Sequence, residues 1–112
     1  MSLANKANQL ENVVEKIVSS LNEQKADARD NVYAVRCYKN LEPLSIAYSK
    51  AINVEKDRDK AMQIVSEMKG LIKYIGTLAA KGDFDLVDTK YLDEFDDLST
   101  IFQETMYRNE GL

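Results

Sequence analysis

The run "GDFDLVDTKYLDEFDD", Gly82 to Asp97, places seven carboxylates in sixteen residues. Asp83, Asp85 and Glu94 fall at the first, third and twelfth positions of a calcium loop. Such a loop also needs an oxygen ligand at its fifth position and a glycine at its sixth, where the chain turns sharply. Those positions hold Val87 and Asp88, so one ligand is missing and the turning residue is wrong. The apolar pattern also restarts at Leu86 and Val87, inside the supposed loop. The alternative reading is electrostatic. Asp83 and Asp85 stand where the last helix begins, and free N–H groups and the positive end of the helix dipole favour carboxylates there. Asp93, Glu94, Asp96 and Asp97 then fall largely on the face away from Tyr91, Phe95 and Leu98. The run reads mostly as a cap followed by a solvated face, and Asp93, Asp96 and Asp97 remain candidates for docking a basic partner.

Other chemistry is sparse. The chain has no histidine, which removes His-based nucleophilic pairs, histidine phosphotransfer, Glu-x-x-His di-iron sites and most zinc chemistry. Cys37 is the single cysteine and is expected to pack as a small hydrophobe. No glycine-rich phosphate loop and no paired acid and base stand out. The chain is therefore expected to be non-catalytic, with no cofactor and no metal. A net charge of −4 with interleaved basic residues argues against nucleic acid. No apolar run approaches the ~20 residues that span a bilayer. The N-terminus has no hydrophobic segment of signal-peptide type, although a removed targeting segment would leave no trace.

A second charged feature is "KAINVEKDRDK", in which Lys50, Lys56, Arg58 and Lys60 surround a break in the pattern. It reads as a charged turn or as a contact for an acidic partner. Six tyrosines join apolar area to a hydroxyl, as protein interfaces favour. Tyr74 lies off the core stripe and is the best exposed candidate; the others are expected at bundle edges.

The elements that carry these residues follow from periodicity. Leu3, Ala7, Leu10, Val14, Ile17 and Leu21 recur at steps of three and four, the stripe of an amphipathic helix that fades through "NEQKADARDN". Val32, Val35, Tyr38 and Leu41 suggest a second stretch. Leu44, Ala47, Tyr48, Ala51 and Ile52 suggest its continuation or a new helix. Pro43 between them implies either one kinked helix or two helices joined near Asn40, the kinked form being favoured. Asn53 suits a left-handed helix end, and Asp57 or Asp59 suits the next cap. Ala61, Ile64, Met68, Leu71, Ile75 and Leu78 mark the third helix, which Gly82 should stop. Gly70 and Gly76 within it each cost about 1 kcal/mol relative to Ala. They read either as tolerated surface glycines or as points of close approach. Tyr91, Phe95, Leu98, Phe102 and Met106 mark the last helix. Four such segments with short connections predict a single-domain, all-α, antiparallel four-helix bundle over residues 1–112.

The stretch "KAINVEKDRDKAMQIVSEMKGL", Lys50 to Leu71, and the later "LAAKGDFDLVDTKYLDEFDDL" together resemble the PsbQ-like extrinsic proteins of photosystem II. The resemblance spans roughly Leu41 to Phe102. It rests on a Lys/Asp-rich loop between helices and on an Ala-Lys helix end before an aromatic last helix. The chain departs from that family in its acidic charge, its first helix and its lack of a proline-rich N-terminal arm. The resemblance implies a non-catalytic subunit in the thylakoid lumen, docked on photosystem II core subunits and stabilising the oxygen-evolving complex. By position, Lys50, Lys56, Arg58 and Lys60 would dock, and no metal ligand carries over. The other classes left open are a small bacterial or phage-encoded immunity-like bundle and an adaptor bundle. Either would bind and modulate a protein partner, with a cytoplasmic location expected.

Overall fold

The computed structural model describes residues 3–27, 32–81 and 88–107. Four α-helices account for almost all of them: α1 (Leu3–Asp27), α2 (Val32–Lys50), α3 (Arg58–Ala80) and α4 (Thr89–Tyr107). A single π turn, Ala51–Glu55, extends α2. α1 packs against α2 and α4, and α3 packs against the same two helices, so α2 and α4 occupy opposite corners of the bundle. Cross-contacts fix the directions. Lys16 of α1 lies over Tyr91 of α4, whereas Ala7, nine residues earlier, meets Phe102, eleven residues later, through Tyr48. Arg58 reaches the Met106 carbonyl, Ser66 and Lys69 meet Gln103, and Gly76 and Leu92 line one groove. Neighbouring helices are thus antiparallel, and α2 and α4 run in the same direction. The protein is the all-α antiparallel four-helix bundle that its periodicity predicts.

The core matches the stripes of three helices closely. Ala7, Leu10, Val14, Ile17 and Leu21 are buried on α1, and Ala61, Ile64, Val65, Met68, Ile72, Ile75 and Leu78 on α3. Phe95, Phe102 and Met106 are buried on α4. Ser99 is the polar member of that line, and its hydroxyl is satisfied by the Asp96 carbonyl at 3.0 Å. Each fully buried Leu, Ile or Phe contributes about 1.5–3 kcal/mol of transfer free energy.

Several local expectations are corrected. α1 continues as helix to Asp27, through much of the stretch expected to be a polar turn, because Glu, Gln, Lys and Ala are good helix formers even without an apolar face. α2, by contrast, is one helix with Pro43 inside it, as the favoured reading has it, and not two helices joined near Asn40. Proline deprives the Lys39 carbonyl of its usual partner, and both residues are exposed, so water can satisfy that carbonyl. The inner line of α2 is Ala34, Cys37, Leu41, Ser45 and Tyr48, rotated from the Val32–Val35–Tyr38 stripe. Small residues face the bundle there, and the larger Val35 and Tyr38 flank it half-buried.

The α2–α3 corner also differs from expectation. Lys56, not Asn53, takes the left-handed conformation, with φ 52° and ψ 35°. Its N–H and that of Asp57 converge on the Ala51 carbonyl, the latter at 3.1 Å. Asn53 instead donates to Glu11 Oε2 at 2.9 Å, tying the turn to α1. Asp57 caps α3 as expected, its carboxylate accepting the Lys60 N–H at 3.1 Å. α3 ends at Ala80, and Lys81 donates its N–H to the carbonyls of Leu78 and Ala79. Gly82, the expected stop, lies outside the described residues. A methyl group added at Gly70 would meet nothing within 4 Å, and one added at Gly76 would meet only Leu92, in ordinary contact at 3.8 Å. Neither glycine is demanded by packing inside the bundle.

Candidate docking surfaces

Tyr48 organises the centre of the molecule; its place in an apolar stripe signals packing, but not this central role. It is completely buried, donates its hydroxyl to the Ala7 carbonyl at 2.9 Å, and meets Phe102 edge-to-face with ring centroids 6.3 Å apart. One side chain on α2 thereby joins α1 and α4 across the core, rather than lying at a bundle edge. Burial, and secondarily the negative charge of Glu11, pushes its phenol well above the ordinary tyrosine range. Cys37 is buried, and burial raises its thiol despite the opposing charge of Arg36. It stays a protonated thiol packed as a small hydrophobe.

The acidic run divides at the edge of the described residues. Asp83, Asp85 and Val87 of the supposed calcium loop lie outside them. α4 starts at Thr89, so the capping carboxylate seen is that of Asp88, which accepts the Lys90 N–H at 2.9 Å. Glu94, the supposed twelfth ligand, is half-buried on α4. Among the described residues, no three Asp, Glu or Cys side chains gather closely enough to hold a metal ion. Asp93, Asp96 and Asp97 are exposed, as their spacing predicts. They do not share one groove. Asp93 and Asp96 border a groove of about 680 Å³ between α3 and α4, opposite Lys69 and Lys73. Asp97 and Glu94 border another, between α4 and α1, opposite Lys16.

The basic turn is also divided by the fold. Arg58 is half-buried and donates from Nη2 to the Met106 carbonyl at 3.2 Å, a favourable placement of a cation at the C-terminal end of a helix. Lys60 pairs with both oxygens of Glu55, at 2.9 and 3.0 Å. Arg58 thus ties the start of α3 to the end of α4, while Lys60 is engaged locally, within the α2–α3 corner. Lys50 and Lys56 are exposed, and between them stands Val54, at 73% the most exposed large apolar side chain described. The basic turn and the acidic stretch of α4 are not one site. Arg58 is level with Met106, and at a 1.5 Å rise per residue Asp97 and Asp93 lie roughly 13–20 Å along α4 from it.

Tyr74 is exposed at 41%, as expected, but Tyr33 is exposed to a similar degree at 45%. Tyr38 and Tyr91 are half-buried: Tyr38 bonds Glu42, and Tyr91 receives the Lys16 ammonium over its ring at 5.5 Å from the centroid. The Tyr38 phenol is held above its ordinary range, first by that hydrogen bond.

One surface does not emerge from the sequence pattern. Arg36, Lys39, Pro43, Ile46 and Lys50 are all exposed and fall within an arc of roughly 80° at 3.6 residues per turn. Their three- and four-residue spacing is legible. It is obscured because the largest side chains of α2 suggest a different apolar phase from the one that Ala34, Cys37 and Ser45 adopt. No described helix is long and apolar enough to cross a membrane. Comparison with protein-family models, with curated proteins and with solved structures yields no match for this chain.

Proposed function

We propose that this protein is a non-catalytic protein-binding subunit that docks through the basic end of the bundle. The observation that carries the proposal is Val54, which projects from an ordered turn with Lys50 and Lys56 beside it. That turn is tied down by the Ala51 carbonyl, by Asn53–Glu11 and by Lys60–Glu55. A rigid apolar side chain flanked by lysines loses little entropy on binding and suits an acidic protein surface with an apolar recess. The resemblance to PsbQ-like proteins gives the finer form: a lumenal extrinsic subunit seated on photosystem II core subunits, stabilising the oxygen-evolving complex.

The alternative is an immunity-like or adaptor bundle that modulates a basic protein partner in the cytoplasm. The exposed carboxylates of Asp93 and Asp97 favour that form. Affinity capture from the native source at low salt tests both. Recovery of photosystem II core subunits by the parent chain, and their loss with K50E/K56E, would support the first form. Recovery of a basic protein that is lost with D93K/D97K would support the second. Capture unaffected by either pair of substitutions would reject docking through these surfaces.

A further inference from the structure

The outer faces of α2 and α4 are complementary to each other, and they point in opposite directions. On α2, the exposed charged residues Arg36, Lys39 and Lys50 are all basic, with Ile46 exposed at 63% among them. On α4, Asp93, Asp97 and Glu104 are exposed on the side away from Phe95 and Phe102, with Ile101 exposed at 38%. Because α2 and α4 stand at opposite corners, one molecule cannot satisfy its own pair of faces. A second copy can.

The core contact sets the register. Tyr48 meets Phe102, so those two residues stand at one height, and α2 and α4 run in the same direction. Lys39 lies nine residues before Tyr48, as Asp93 lies nine before Phe102. Lys50 lies two after Tyr48, as Glu104 lies two after Phe102. Ile46 falls level with Thr100 and beside Ile101. A copy displaced sideways without change of height therefore brings Lys39 to Asp93, Lys50 to Glu104, and Ile46 to Ile101. Arg36 falls level with Lys90, the one like-charged level of this register.

We propose that the protein self-associates head to tail, the basic outer face of α2 in one copy docking on the acidic outer face of α4 in the next. This occupant differs from the partner of the proposed function, and the inference does not depend on it. Contacts of this heterologous kind leave one face open at each end, so assembly continues into rings or filaments instead of stopping at a symmetric dimer.

Sedimentation velocity on the full chain over a concentration series provides the test. In ~0.01 M salt, where charges act over ~30 Å, the average mass should rise with concentration; in ~1 M salt, where that range is ~3 Å, it should fall to monomer. The neutralised variants K39Q/K50Q and D93N/E104Q should each associate about tenfold more weakly than the parent. Circular dichroism would show both still folded. Mixed in equal amounts, they should form a 1:1 pair and go no further, because each retains one intact face. A symmetric contact through α2 alone would leave D93N/E104Q as associative as the parent and overturn the proposal. So would a parent chain that stays monomeric in low salt. If that monomer instead co-sedimented with phosphatidylserine vesicles, the α2 face would belong to a lipid surface.

Discussion

The two faces of α2 share one backbone and carry opposite kinds of information. Its inner line, from Ala34 through Leu41 to Tyr48, meets α1, α3 and α4 and is almost without exposure. Its outer line, from Arg36 through Ile46 to Lys50, stands in solvent. Burial makes the inner residues sensitive to the loss of a single methyl or hydroxyl group. The outer residues have little to lose within the monomer, so their pattern is better read as surface chemistry than as stability. The difference explains why proline is accepted at position 43 on the outside of a continuous helix, while Tyr48 on the inside is held by both a hydrogen bond and an aromatic contact.

The largest expected effect lies on the inner side. Phe102→Ala removes the ring that Tyr48 packs against and should lower stability by about 3–5 kcal/mol, measured by urea denaturation. A loss below about 1 kcal/mol would mean that the Tyr48–Phe102 contact does not organise the core.

Next comes the hydroxyl. The folded-state pKa of Tyr48 is raised, so its contribution to stability is complete below the unfolded tyrosine value near ~10 and is lost as pH rises through the folded value. Between those values unfolding releases a proton, and stability should fall by up to about 1.4 kcal/mol per pH unit from this group. Tyr48→Phe should cost about 1 kcal/mol at neutral pH by loss of the bond to Ala7, and it should flatten the alkaline decline. Equal alkaline slopes in the two proteins would show that the phenol is not shielded.

A smaller effect of opposite sign is expected at Gly70, where an added methyl meets nothing. Gly70→Ala should stabilise the chain by about 1 kcal/mol through helix propensity alone. A destabilised variant would reveal an intramolecular contact at that position. Smallest of all, Ile46→Gln should change thermal stability by no more than ~0.5 kcal/mol while weakening low-salt self-association. A stability loss of several kcal/mol would dissolve the distinction between the two faces of α2.

The helical stripes of α1, α3 and α4 are legible in the sequence because large apolar residues alternate with charged ones at a clear helical period. α2 is harder: Ala34, Cys37 and Ser45 on its inward line are small or polar, so weighting the pattern by bulk draws it toward Val35 and Tyr38, although Leu41 and Tyr48 of the apolar pattern are inward. Asp57 is recognisable as a cap from its residue type, whereas the left-handed Lys56 is not, since Asn53 is chemically the better candidate. The candidate surfaces are legible as charges but not as places. Lys50, Lys56, Arg58 and Lys60 look alike in a string of residues. Only folding brings Arg58 to the end of α4 and Lys60 to Glu55, leaving Lys50 and Lys56 outward.

By itself, the sequence determined the all-α class, the four amphipathic segments and most of the buried face, because helical period and apolar patterning are local properties of the chain; that the segment through Pro43 is one helix came from the structure. It also determined the want of histidine and of a second cysteine, and with them the chemistries excluded. Tertiary structure decided which helices stand at opposite corners, which turn residue takes positive φ, and which charges are consumed in holding the bundle. The placing of the corners and of Arg58 depends on contacts between residues more than forty positions apart, as Tyr48 and Asn53 make with α1 and Arg58 with α4, and no local pattern encodes them; Lys56 and Lys60 are set by partners five residues away.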